Sequence, residues 1–143
     1  MIVYPTTNYN SWISEDDAET YFENHLNASS WDALTNYEPT MITAFRSLQE
    51  LSLNIIFDSD DLISSAIYTD SEISEILQDL QFAQCEQMLH ELDTDIYGQQ
   101  INFLSLSGLT VKMPNNAKTE RFSPKAMAIL RPYIQALVVQ RYR

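Results

Sequence analysis

The chain has 143 residues, 45% of them hydrophobic and 11% aromatic, with one cysteine and a formal net charge of −12. That length supports a single hydrophobic core, the apolar content excludes a disordered polyanion, and one thiol excludes an intrachain disulfide. No apolar run is long enough to span a bilayer, and residues 1–12 lack the basic patch and apolar stretch of a signal peptide, so the expectation is a cytosolic chain that meets no membrane.

The first helix is announced by Ser14 with Asp17 three residues on, a capping-box-like start, after which Ala18, Tyr21, Phe22, His25 and Leu26 share one helical face. Residues 24–30 read as a loop, and Trp31 with Leu34 as a short apolar anchor. Pro39 suits the first turn of a second helix, whose stripe is Met41, Ala44, Phe45, Leu48, Leu51 and Ile55. Residues 57–68 break the pattern and read as an acidic connecting loop with at most one helical turn. Thr69 or Asp70 then caps a third helix over about 71–92. Its apolar face begins with Ile73, Ile76, Leu77, Leu80 and Ala83 and continues, rotated, with Phe82, Cys85, Met88, Leu89 and Leu92. A face that drifts predicts a central helix contacted from several sides.

Residues 93–98 carry turn chemistry, and two short β-prone runs over 101–106 and 109–113, separated by Ser107 and Gly108, predict a hairpin. Ile101, Phe103, Leu104 and Leu106 make it more apolar than a lone ribbon can bury, so it must pack on something; if the chain assembles as a ring, it is expected to be an inter-subunit or lumen-facing element. Ser123 and Pro124 form an N-cap and first-turn pair for a last helix through Ala126, Met127, Ile129 and Leu130. Pro132 interrupts that helix, so Arg131 marks a kink and residues 133–139 are expected to form a second short helical turn. The predicted fold is mainly α: a compact bundle of about four helices with one small hairpin over residues 1–130, and a C-terminal arm over 131–143.

Catalytic chemistry has little to stand on. His25 and His90 lie on separate predicted helices without zinc or triad spacing, and His25 on its apolar face reads as a partly buried structural residue. Cys85, among apolar neighbours, reads as packing. Gly98 and Gly108 are too isolated to shape a phosphate loop. The run Asp58, Ser59, Asp60, Asp61 lacks the glycine and closing glutamate of a calcium loop and reads as a solvated acidic loop. The expectation is no enzyme, metal or cofactor.

Charge is segregated along the chain. Residues 1–111 hold one cation, Arg46, against nineteen carboxylates, a balance of −18; residues 112–143 hold seven cations against Glu120 alone, a balance of +6. An acidic body with a basic end points to charge-complementary contact with further copies or with an acidic partner. It also opposes nucleic-acid binding except through the end itself, where Arg121, Lys125, Arg131, Arg141 and Arg143 accompany Phe122, Tyr133 and Tyr142.

The segment Trp12-Ile13-Ser14-Glu15-Asp16-Asp17-Ala18-Glu19-Thr20-Tyr21-Phe22, followed by Trp31-Asp32-Ala33-Leu34, by Gln81-Phe82-Ala83-Gln84-Cys85-Glu86 and by Leu130-Arg131-Pro132-Tyr133, resembles the head-tail connectors (adaptors) of tailed bacteriophages. Some of these carry the label of a primosomal single-stranded-DNA-binding protein. The order of motifs covers most of the chain. The basic stretch that many members carry after the second helix is here the acidic 57–68, which sets this chain apart from a nucleic-acid role.

The resemblance implies a virion protein of the neck, assembled in the host cytoplasm as a homo-oligomeric ring, roughly twelvefold. Such a ring joins the portal to a downstream tail or stopper protein, and DNA passes through its lumen without specific binding. It also implies portal contact through the arm, by Arg131, Tyr133, Ile134, Leu137, Arg141, Tyr142 and Arg143; the physical alternatives are that the arm meets the acidic neighbouring subunit or folds back as a final helix on its own domain. The alternative is a single-stranded-DNA-binding accessory protein using the basic end, and a third reading is an acidic regulator of a basic partner.

Overall fold

The computed structural model describes residues 1–94 and 121–134. Among them five α-helices follow in chain order: α1 Glu15–Glu23, α2 Ser29–Asp32, α3 Glu38–Gln49, α4 Asp70–Thr94 and α5 Pro124–Leu130, the last continued by a 3-10 turn at Arg131–Tyr133. The mainly helical class read from the periodicity is the class adopted. The expected hairpin, with Ile101, Phe103, Leu104 and Leu106, lies outside the described residues, as does most of the expected arm.

Helix starts follow the local chemistry. The Ser14 hydroxyl accepts from the Asp17 amide at 3.1 Å, and three carboxylates in the first turn of α1 face the positive end of its dipole. At α4, Thr69 is the cap. Its hydroxyl accepts from the Glu72 amide at 3.2 Å while Glu72 Oε1 accepts from the Thr69 amide at 2.9 Å, a reciprocal capping box. Ser123 caps α5 through the Ala126 amide at 3.2 Å, with Pro124 in the first turn.

Three expectations about extent are corrected. α1 stops at Glu23, where the Asn24 amide turns back to the Phe22 carbonyl, so His25 and Leu26 leave the helix and Leu26 is 99% exposed. α3 stops at Gln49, because the amides of Glu50 and Leu51 close tight turns onto Ser47 and Leu48. Leu51 and Ile55 therefore belong to a non-helical stretch, not to the helical stripe. Finally, the turn expected over 133–139 does not start at Tyr133: the Asn54 amide donates to the Tyr133 carbonyl at 2.5 Å, and Ile134 is extended in an antiparallel bridge with Leu53, while residues 135–139 lie outside the described residues. A carbonyl spent sideways on Asn54 no longer serves a helical turn, and Pro132 has no amide to give one.

The drifting face of α4 has the expected consequence. Ile76, Leu80 and Ala83 join one buried cluster with Trp12, Phe45, Leu48, Ala126 and Leu130, whereas Cys85, Met88 and Leu89 join another with Ile13, Phe22, Trp31 and Met41. α3 and α5 make the broadest contacts with α4, and α1 and α2 cover the far side. Trp31, expected as a loop anchor, lies in the single turn of α2 and stacks on Tyr37 with ring centroids 4.2 Å apart. No helix among the described residues is long and apolar enough to cross a membrane.

Leu80 is fully buried between α3, α4 and α5. Leu80→Ala is expected to lower unfolding stability by roughly 2–5 kcal/mol, as for other buried leucines, whereas Leu26→Ser should stay within about 0.5 kcal/mol; the shift in urea midpoint at constant slope measures both.

Candidate interaction surface

Three glutamines on neighbouring turns of α4 hold the chain's outlying segments. Gln84 is fully buried: its Oε1 accepts from the Trp12 amide at 2.9 Å, and its Nε2 donates to the Ser11 hydroxyl at 2.9 Å and to the Met41 carbonyl in α3 at 3.0 Å. Gln81 donates to the Trp12 carbonyl at 3.0 Å. Gln87, also fully buried, accepts from the Ser123 amide at 2.8 Å and donates to the Arg121 carbonyl at 3.1 Å and to Glu91 at 2.8 Å. Glu91 in turn accepts from Ser47 of α3 at 2.7 Å. The sequence signal for this clamp is that Gln84 and Gln87 stand three apart on an otherwise apolar face, though spacing alone does not say which backbones they meet.

A second polar group joins α1 to α4. Glu86, largely buried, accepts from the Tyr21 hydroxyl and meets His25 Nε2 at 3.0 Å, while His25 Nδ1 accepts from the Asn27 amide at 3.1 Å. Because Nδ1 is an acceptor there, the proton of the neutral ring belongs on Nε2, pointing at the carboxylate. Burial first, and then the hydrogen bond to Glu86, pushes the Tyr21 phenol well above its ordinary value, so it remains a donor. The group fastens the end of α1; it presents no activated nucleophile. Cys85 is buried beside it, and burial pushes its thiol up, away from the reactive thiolate. No group of three or more His, Cys, Asp or Glu side chains that could hold a metal ion occurs among the described residues.

A groove of about 430 Å³ is lined by Asn8, Tyr9, Trp12, Gln49, Leu51, Leu53, Ile55, Phe57 and Asp61. Residues 51, 53, 55 and 57 alternate along a non-helical stretch, which places the side chains on one wall at a period of two. Phe57, at the end of that wall, is 36% exposed. An apolar wall open to solvent is a candidate interaction surface. Its rim is acidic. The Asp58 carboxylate is spent on its own loop, accepting from the amides of Asp60 at 2.8 Å and Leu62 at 3.0 Å, and the exposed Asp60 and Asp61 complete the negative edge. The acidic run read as a solvated loop is thus solvated, and it borders the groove. Tyr9 reaches across to donate to the Asp61 carbonyl at 2.8 Å, and burial pushes its phenol up to about 12, against the pull of the Trp12 indole in the opposite direction.

Of the residues expected to contact a portal, Arg131 is exposed, but Tyr133 and Ile134 are half-buried against the first cluster, and the Tyr133 hydroxyl donates to Asp79 of α4 at 2.6 Å. The described end of the chain is thus docked as far as Ile134, and Leu137, Arg141, Tyr142 and Arg143 lie outside the described residues. Arg121 pairs with Glu50 at 2.5 Å on the surface, a contact worth no more than about 1 kcal/mol. The chain has no significant match among protein-family models, curated proteins or solved structures.

Gln84→Leu keeps the volume but strands the buried Trp12 amide, and should cost more than about 2 kcal/mol, read as a lowered urea midpoint. The Tyr9 phenol moves from 10.0 to about 12 on folding, so the unfolded chain gives up this proton first. Its contribution is fully present below about pH 10 and is lost as pH rises to about 12. Unfolding stability measured from pH 8 to 12 should fall over that window, and Tyr9→Phe should make the fall shallower.

Proposed function

We infer that this chain is a structural head-tail connector, a phage protein that assembles as a closed ring of identical copies beneath the portal and joins it to the tail. The observation that carries the reading is the separation of charge: a helical body holding −18 against a C-terminal segment holding +6. One chain thereby supplies both halves of a charge-complementary contact. An acidic ring also suits a DNA conduit, because a negative lumen passes the polyanion without gripping it.

The order of motifs supports the same class, from the serine-capped acidic helix to Leu130-Arg131-Pro132-Tyr133. In this reading the apolar residues Ile101, Phe103, Leu104 and Leu106 lie between subunits. The basic residues Arg141 and Arg143, with Leu137 and Tyr142, are the outward contact element, and the portal is what the resemblance implies they meet. The chain acts by shape and adhesion; no reaction is assigned to it.

The purified full chain should form rings of defined size in negative-stain micrographs and by sedimentation, and should co-sediment with a portal protein from the same phage. A chain that stays monomeric, ignores the portal and retards a single-stranded oligonucleotide at physiological salt would replace this reading with the DNA-binding one.

A further inference from the structure

We propose that the groove between Trp12 and the 51–57 wall is the seat for the C-terminal segment, residues 135–143, of a neighbouring copy, so that the first acidic surface this segment meets is its own kind. The inference deepens the ring reading and rests on it.

The chemistry of the two parts matches. The seat offers apolar side chains at Leu51, Leu53 and Phe57, aromatic walls at Tyr9 and Trp12, and the Asp61 carboxylate at its edge, with the exposed Asp60 next to it in the chain. The segment Gln-Ala-Leu-Val-Val-Gln-Arg-Tyr-Arg offers four successive apolar residues, then a tyrosine between two guanidinium groups. An apolar run fills the groove while arginines at its end meet the carboxylates, which is how extended basic segments are held in apolar clefts with acidic borders. In residues 1–111 the sole cation is Arg46, so the body has almost no charge of its own to satisfy that rim.

The heading of the backbone at Ile134 favours a second copy over the same chain. Ile134 is extended and antiparallel to Leu53, and the Tyr133 carbonyl accepts from the Asn54 amide, so at Ile134 the backbone is heading past Leu53 toward Leu51 and Gln49. The acidic rim lies the other way along the wall, beyond Phe57. At Ile134 the chain thus leads away from the rim of its own copy. When one copy's segment enters the next copy's groove, the interface is heterologous, and repeated head-to-tail contact of that kind closes into a ring where the rotation permits.

Reciprocal charge reversal in the full-length protein tests this. One variant, Ser59→Lys with Asp60→Lys and Asp61→Asn, inverts the rim; asparagine is chosen because residue 61 has φ 63°, which asparagine tolerates, and Asp58 is left to cap its loop. The other, Arg141→Glu with Arg143→Glu, inverts the segment. Each is first shown to be folded by circular dichroism and an unchanged urea midpoint. The expected result is that each variant alone loses the ring in sedimentation velocity under conditions where the native chain forms it. An equimolar mixture should regain it, since every contact between unlike copies is again complementary. If either variant alone forms the native ring, the segment is not seated on this rim, and the connector reading stands with another interface. If both fail alone and the mixture also fails, the segment serves its own chain or a different surface, and the proposal is overturned. If the native chain is monomeric at every concentration, the ring reading falls together with it.

Discussion

A buried carboxamide can hold two backbones at once, and the fold depends on two of them. Gln84 receives the Trp12 amide and donates to Ser11 and to the Met41 carbonyl; one turn further, Gln87 receives the Ser123 amide and donates to the Arg121 carbonyl. The N-terminal segment, α3 and the start of α5 are thereby fixed in register against α4. Apolar packing alone would tolerate a shift along the helix. A polar group sealed from water does not, because an amide left without its partner costs about 1–3 kcal/mol where the dielectric is low.

That clamp explains why one helix can serve two clusters. α4 is 25 residues long, and its apolar side chains rotate around it, so neighbours must be held at different azimuths along its length. α5 occupies the side built on Ile76, Leu80 and Ala83, α1 with α2 occupies the side built on Cys85, Met88 and Leu89, and α3 reaches both, through Phe45 and Leu48 on the one and Met41 and Ala44 on the other. The link to α1 is polar as well as apolar: Tyr21 and His25 converge on Glu86, and Tyr21 lies with its ring centroid 4.9 Å from that of Phe82. Every carboxylate in this scaffold other than such partnered ones adds to a negative field with little internal relief.

The docked Tyr133 and Ile134 change what an arm can be. Their hydrogen bonds to Asp79 and Asn54 and their packing on the first cluster make them part of the body, so any outward contact element starts after Ile134. The bridge at Leu53 also orders the wall of the groove, since a segment that follows a helix end and pairs on one side presents alternate side chains on a single face. Core formation and surface presentation are in this way coupled through residues 51–57.

Capping and periodicity are local, and both were legible: Ser14 and Ser123 cap where their side chains and spacing say, and the rotation of apolar residues along α4 is visible in the letters because a helix advances about 100° per residue. The segregated charge is likewise a property of the sequence alone. Where helices stop was not legible from the stripe. Leu26, Leu51 and Ile55 sit at helical spacing, yet the chain leaves the helix before each of them, because turns onto Phe22, Ser47 and Leu48 end α1 and α3. The groove, its acidic border and the fate of Tyr133 were decided only in three dimensions. They arise from pairings between residues dozens of positions apart, such as Tyr9 with Asp61 and Leu53 with Ile134, and no local spacing encodes which distant backbone an unpaired amide will find.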